Sequence, residues 1–443
     1  MDNVLQVTIP QALEGMSVRL DTVELRAAFS VPVLSFGEDD RALKEGTQPS
    51  GWTWRSRAVR EEQSPALGYG HVTIDQFVVG DLALVREIFV PEGGTRLAIR
   101  GILKNHSERG VRLGDWAILD VGPGGLHLGE CPASQWKLYC HGRHKNDHPV
   151  VVTLGRLDGN ALLAAGISKV PEGSMPLTYP SDPLAVLQGG ESPSTLLLGF
   201  VSELEHLTTI NVTIGSEYTS LESLQAICEF DGCLVPAGME RQTSWLLLDG
   251  DSDLHRSVRN YAEAVAVLHN VPAPDIAGLK VAPSVYCTWS FYGWDLTPQD
   301  MDDELNWFQA HRWPIDVFQI DESWEPHFGD WQTRPEWGDA SMEGYARRIR
   351  DLGYTAGIWT CPYLADVSSQ LATEHPEWML KKTDGEFVIF PMNYHDNYVL
   401  DPTHPEVQEW LAGLYRRLTQ EWGYTYHKFD FTRAVALAKD VAF

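Results

Sequence analysis

Up to about Gly250, short apolar or alternating runs recur between turn residues. Ser17–Val23, His71–Val79, Ala83–Val90, Leu97–Leu103, Val150–Leu154, Thr195–Val201, Thr208–Ile214 and Thr243–Leu248 each have the length and texture of a strand. Gly, Pro, Asp and Ser separate them, as at Pro91-Glu92-Gly93-Gly94 and Gly122-Pro123-Gly124-Gly125. Short strands at regular spacing predict a large antiparallel β-sandwich over residues 1–250.

The period changes at Asp251. Asp251 or Ser252 can cap a helix running to about His269, with Leu254, Val258, Tyr261, Ala262, Val265 and Leu268 spaced for one buried face. Val271-Pro272-Ala273-Pro274 ends it, so residues 251–280 read as a connector helix and linker.

Beyond Ser284, strands and helices alternate. Val285–Trp289, Asp316–Ile320, Thr355–Trp359 and Tyr426–Phe431 are predicted strands. Thr297 to about His311, Ser341–Leu352 and Pro405–Glu421 are predicted helices, with glycines at the αβ joints (Gly353, Gly423). This rhythm implies parallel βα units. Residues 281–443 hold four such units, whereas a closed (β/α)8 TIM barrel needs about 250 residues. The expected architecture is therefore β + α/β: a large N-terminal sandwich, a connector helix, and a small open sheet or the first half of a TIM barrel.

Composition narrows the function classes. A hydrophobic content of 43% with 21% charged residues excludes wholesale disorder. A formal charge of −27 repels phosphate backbones and anionic lipid, so neither nucleic acid nor a membrane is an expected partner. No run approaches the about 20 apolar residues of a membrane span, and the N-terminus shows no secretory signal, which predicts a cytoplasmic protein. The six cysteines form no paired CxxC motif and read as reduced thiols; the two Asn-x-Ser/Thr sequons, at Asn105 and Asn211, then read as chance matches. Eleven of the 16 tryptophans lie beyond residue 288, as suits either a sugar-binding cleft or a large core. Cys140, His141, His144, Asp147 and His148 are metal-ligand residue types, but their spacing matches no standard structural site.

In a βα barrel the chemistry gathers at the C-terminal strand ends. Those ends read Cys287-Thr288-Trp289, Asp321-Glu322, Trp359-Thr360 and Lys428-Phe429-Asp430. Lys428 and Asp430 are two apart and so share a face. A carboxylate beside an ammonium is a competent nucleophile toward an anomeric carbon. The bland reading, solvated strand-end charges with a structural Lys–Asp pair, suits any one pair; the whole set on one rim favours a site.

Six motifs occur in order: Ile320-Asp321-Glu322-Ser323-Trp324, Gly329-Asp330-Trp331, Gly357-Ile358-Trp359-Thr360-Cys361-Pro362-Tyr363, His375-Pro376-Glu377-Trp378, Leu400-Asp401-Pro402 and Lys428-Phe429-Asp430-Phe431. Together they make the stretch from about residue 240 onward similar to glycoside hydrolase family 36, the melibiase-type α-galactosidases. The resemblance implies a cofactor-free, retaining hydrolase that removes terminal α-linked galactose from an oligosaccharide such as melibiose or raffinose. Asp430 would be the nucleophile and Lys428 a ligand to sugar hydroxyls. Asp321 and Glu322 would hold the 4- and 6-hydroxyls, with Trp289 and Trp359 lining the sugar subsite. It also makes a homo-oligomer an expectation.

The chain departs from the family in three places. Glu322 stands where the family usually has a second aspartate, and the Gly357–Pro362 stretch lacks the glutamates of many bacterial members. The family's acid/base comes from a later strand, whereas 13 residues follow Asp430, so the resemblance implies a member truncated after the fourth strand, with its acid/base beyond Phe443. Asp440, the one carboxylate in that tail, is not nominated. The alternatives are a galactosyltransferase of the raffinose-synthase kind, and a non-catalytic sugar-binding or structural fragment.

Overall fold

A computed structural model of the chain describes residues 5–442 except 21, 36–49, 143–148, 159–163, 166–175, 272–281, 339–340, 393–394, 437 and 439–440. His144, Asp147, His148 and Asp440 lie outside the described residues. The chain divides into two compact units, Met1–Pro272 and Ala273–Phe443.

The first unit is built from antiparallel sheets. Its ten-stranded sheet begins as a meander, Thr53–Ser64, Gly68–Val79, Leu82–Pro91 and Arg96–Asn105, and continues through Leu246–Asp249, Thr195–Phe200, Leu184–Gln188, Lys137–Cys140 and Val150–Thr153. A four-stranded sheet of Trp116–Val121, Leu221–Glu229, Leu207–Ile214 and Leu177–Ser181 shares its core, and Leu97, Ile99, Trp116, Leu196 and Leu248 are fully buried there. Burial of alternate residues pins the register, because a one-residue slip would turn each apolar set outward. The predicted run Ser17–Val23 is a hairpin instead, Met16–Leu20 paired with Val23–Ala27. Asn105 is fully buried, its amide donating to the carbonyls of Arg109, Val235 and Pro236.

The helix after the sandwich spans Leu254–Leu268, capped by Asp253 accepting from the Arg256 N–H. Its inward residues are Ser257, Tyr261 and Ala264, while Val258, Ala262 and Leu268 are exposed, so the buried face is rotated from the predicted one. Tyr261 sets that rotation. Its hydroxyl donates to the Phe200 carbonyl at 2.6 Å, and its ring lies over Gly199, where a Cβ would stand 2.4 Å away. The helix thus packs within the first unit.

In the second unit Val285–Cys287, Val317–Ile320, Thr355–Thr360 and Tyr426–Phe429 form one parallel sheet in chain order, here called the first to fourth barrel strands. Thr297 and Asp300 make a capping box on helix Pro298–His311, and Ser341 caps Met342–Asp351. Helix Pro405–Arg416 runs into a π-helical turn, Arg417–Trp422. Gly423, at φ 90°, then ends the helix in the left-handed conformation that glycine adopts without strain. Phe308, Phe318, Ile320, Ile349 and Ile358 fill the core. Trp307, read as a core residue, is partly exposed and stacks on His311 at 4.3 Å. Past the third strand the chain adds a small antiparallel sheet, Leu364–Asp366, Ile389–Pro391 and Asp396–Val399, that the pattern did not reveal.

Candidate active site

The parallel registers align the strand ends, so the residues following them meet on one rim. Asp321 leaves the second strand almost fully buried, at 2% exposure. Its Oδ2 accepts from Lys428 Nζ at 2.8 Å, Gln319 Nε2 at 2.5 Å and Cys287 Sγ at 3.2 Å, and its N–H donates to Thr288 Oγ1 at 2.9 Å. Residues from strands one, two and four thus converge on one carboxylate. Burial pulls the Lys428 ammonium toward deprotonation, but the hydrogen bond and charge of Asp321 outweigh it and raise its pKa. The Cys287 thiol is pushed up to about 11 by burial, by the Asp321 charge and by its bond to that acid, so it stays protonated and donates.

Glu322 is 6% exposed, and its Oε1 accepts from Trp294 Nε1 at 3.0 Å. Ser323 Oγ donates to the Trp294 carbonyl at 2.8 Å, tying the loop after strand one to the loop after strand two. Three residues on, Glu325 is 4% exposed, and burial pushes its carboxyl up to about 8, helped by the charge of Glu322.

Asp430 follows the fourth strand, and its N–H donates to the Thr360 carbonyl at 2.9 Å. Its Oδ2 accepts from Trp359 Nε1 at 3.2 Å, and its Oδ1 from the Phe431 N–H at 2.8 Å. Phe431 sits at φ 52°, and its ring packs near Phe328, Phe390 and Trp359, contacts that hold this strained turn.

The structure brings Asp321, Lys428, Asp430 and Trp359 together through these bonds and changes three expectations. Lys428 hydrogen-bonds Asp321, and Asp430 acts on it only through its charge, because the side chain of Asp321 reaches the ammonium first. Trp359 is 1% exposed and offers its N–H to Asp430, with its ring face packed against Phe328 and Trp331. Trp289 does not end a strand. The first strand stops at Cys287, and Trp289 opens a four-residue helix, half-exposed and edge-on to Trp294 at 5.4 Å. Gln319, Trp294 and Glu325 were missed. Gln319 alone carried a signal, as the polar position in an apolar strand two residues before Asp321.

Among the described residues no group of His, Cys, Asp and Glu side chains is placed to hold a metal ion. Among them, too, no helix is long and apolar enough to cross a membrane.

Residues 280–442 match the melibiase family model. The chain is similar to the myogenesis-regulating glycosidase of Mus musculus, 26% identical over 173 residues, covering 39% of this chain and 24% of that protein. It is also similar to the α-xylosidase XylQ of Lactiplantibacillus pentosus, 28% identical over 176 residues, covering 37% of this chain and 22% of that protein. Among solved structures, the α-galactosidase from Lactobacillus brevis shares the fold at a TM-score of 0.61 and 13% identity, covering 96% of this chain and 63% of that one. The chain thus spans under two thirds of that structure, and its matched segment under a quarter of either curated relative. Residues 280–442 form a melibiase-type glycoside hydrolase domain, preceded in sequence by an antiparallel β domain.

Proposed function

We propose that this chain is the nucleophile-bearing part of an α-galactosidase-like retaining glycosidase, acting on terminal α-linked sugars of galactose configuration in oligosaccharides. The observation that carries the reading is the meeting of Asp321, Lys428, Asp430 and the Trp359 N–H on one rim. Asp430 attacks the anomeric carbon as the glycosidic bond breaks, giving a glycosyl ester that water then opens, so the anomeric configuration is retained. Its two oxygens are aimed by the Trp359 and Phe431 N–H groups. Lys428, fixed by Asp321, has donors left for sugar hydroxyls, and Asp321 and Glu322 accept from them.

Activated glycosides depend least on a general acid. The test is nitrophenolate release by this chain from p-nitrophenyl α- and β-galactosides, with the first-formed sugar anomer followed by proton NMR. Release from the α-anomer with an α-sugar as first product is expected. An inverted product, or equal release from both anomers, contradicts the reading.

A further inference from the structure

The two acids after the second barrel strand are held in different ways. The short arm of Asp321 is engaged by Lys428, Gln319 and Cys287 inside the rim. Glu322 is one methylene longer, and its tip is tied to the strand-one loop by the Trp294 N–H at 3.0 Å. The residue after it is anchored to the same tryptophan, Ser323 Oγ to the Trp294 carbonyl at 2.8 Å. Ser323 sits at φ 105°, a setting that costs a non-glycine residue about 1–3 kcal/mol and persists where neighbouring contacts enforce it. With 6% of its surface exposed and both its tip and its backbone fixed, Glu322 has no room to fold back.

An aspartate on the same Cα would hold its carboxylate about 1.5 Å further back, the length of one C–C bond. The longer side chain removes room for about one carbon from the bound sugar and places an acceptor there. We propose that Glu322, positioned by Trp294, determines specificity by closing the subsite to the exocyclic hydroxymethyl group. The sugar it admits is a pentopyranose of galactose configuration, the β-L-arabinopyranosyl group, which keeps the ring stereochemistry of α-D-galactopyranose and lacks only C6. This inference rests on the active-site reading above and names its substrate class.

The test compares kcat/KM for p-nitrophenyl β-L-arabinopyranoside and p-nitrophenyl α-D-galactopyranoside in the unaltered chain, Glu322→Asp and Trp294→Phe. One methylene in a pocket is worth about 10–200-fold in discrimination. The unaltered chain is expected to favour the arabinoside at least about tenfold. Glu322→Asp moves the ratio toward the galactoside by about the same factor. Trp294→Phe, which keeps a ring and removes the N–H, moves it the same way by less. Where turnover is too slow to read, NMR titration with L-arabinose and D-galactose gives the same ratio as dissociation constants. Preference for the galactoside in the unaltered chain, with a ratio neither variant moves, overturns the inference and leaves the glycosidase reading standing. Turnover and binding of neither sugar removes both.

Discussion

Asp75 in the first unit and Glu325 in the second are both almost fully enclosed, and their charges are handled in opposite ways. Burial pushes the Asp75 carboxyl up, but Arg57 and Arg86 grip both its oxygens, with Trp54 adding a third donor, and the net pKa lies below the ordinary range. Arg86 is itself 0% exposed, and its other donors hold the carbonyls of Pro10 and Ala12, so this charge network fastens the N-terminal segment to the sheet. Glu325 has no such partner for its Oε2, and burial drives its carboxyl up to about 8. The first unit uses buried charge as an internal fastening. The second gathers Asp321, Glu322, Glu325 and Asp430 with Lys428 as the cation paired to them, as a pocket for a neutral, hydroxyl-rich ligand would.

The contrast can be broken most sharply at Asp430. Asp430→Ala should lower kcat on an activated α-glycoside by about 10⁴-fold or more while thermal unfolding stays unchanged. Equal rates would remove the residue from the mechanism. In the first unit the effect should fall on stability instead. Asp75→Asn strips Arg86 of its acid in a fully buried setting and should cost about 3–5 kcal/mol in urea unfolding. A loss below about 1 kcal/mol, the worth of a surface ion pair, would mean that the network does not fasten the sheet.

Glu325→Gln sharpens the comparison in the opposite direction. The folded-state pKa of Glu325 lies above its unfolded value, so folding takes up a proton between about pH 4.5 and about 8 and stability falls across that window. The glutamine variant should therefore be more stable by about 3 kcal/mol at pH 7 and no different at pH 4. A gain that is the same at both pH values would contradict the buried neutral acid. The smallest effect is expected at Trp359→Phe, which removes the indole N–H from Asp430 while keeping an aromatic ring. A hydrogen bond to a charged group is worth about 1.5–3 kcal/mol, so kcat should fall about 10- to 100-fold. An unchanged rate would show that the Phe431 N–H alone aims the carboxylate.

The second unit was more legible in the sequence than the first, for local reasons. Thr297 before Pro298, Ser341, Pro405, Gly353 and Gly423 are start and stop signals whose geometry is set within a turn of each residue. Strand Thr53–Ser64 carries no such signal. It is charged and largely exposed, and its existence depends on pairing with Gly68–Val79 across the hairpin. The rotation of helix Leu254–Leu268 was hidden similarly, since Tyr261 chooses its face by finding Gly199 on another element. At the site, the acids and Lys428 could be read because a strand's two-residue period projects them to one rim. Trp294 and Glu325 could not, because they act from loops, where no period links a residue type to a direction. Trp359 was placed correctly in the chain but assigned the wrong surface: the residue type suggested a stacking face, and packing left only its N–H.

The most direct test of the account is covalent trapping. Incubating this chain with 5-fluoro-α-D-galactopyranosyl fluoride, or its β-L-arabinopyranosyl counterpart, lets fluoride leave without a general acid and slows opening of the resulting ester. Peptide mass spectrometry should then find one added sugar on the peptide that holds Asp430, and none in Asp430→Ala. A sugar attached to any other carboxylate would contradict the proposed chemistry, as would turnover of the fluoride with no labelled peptide.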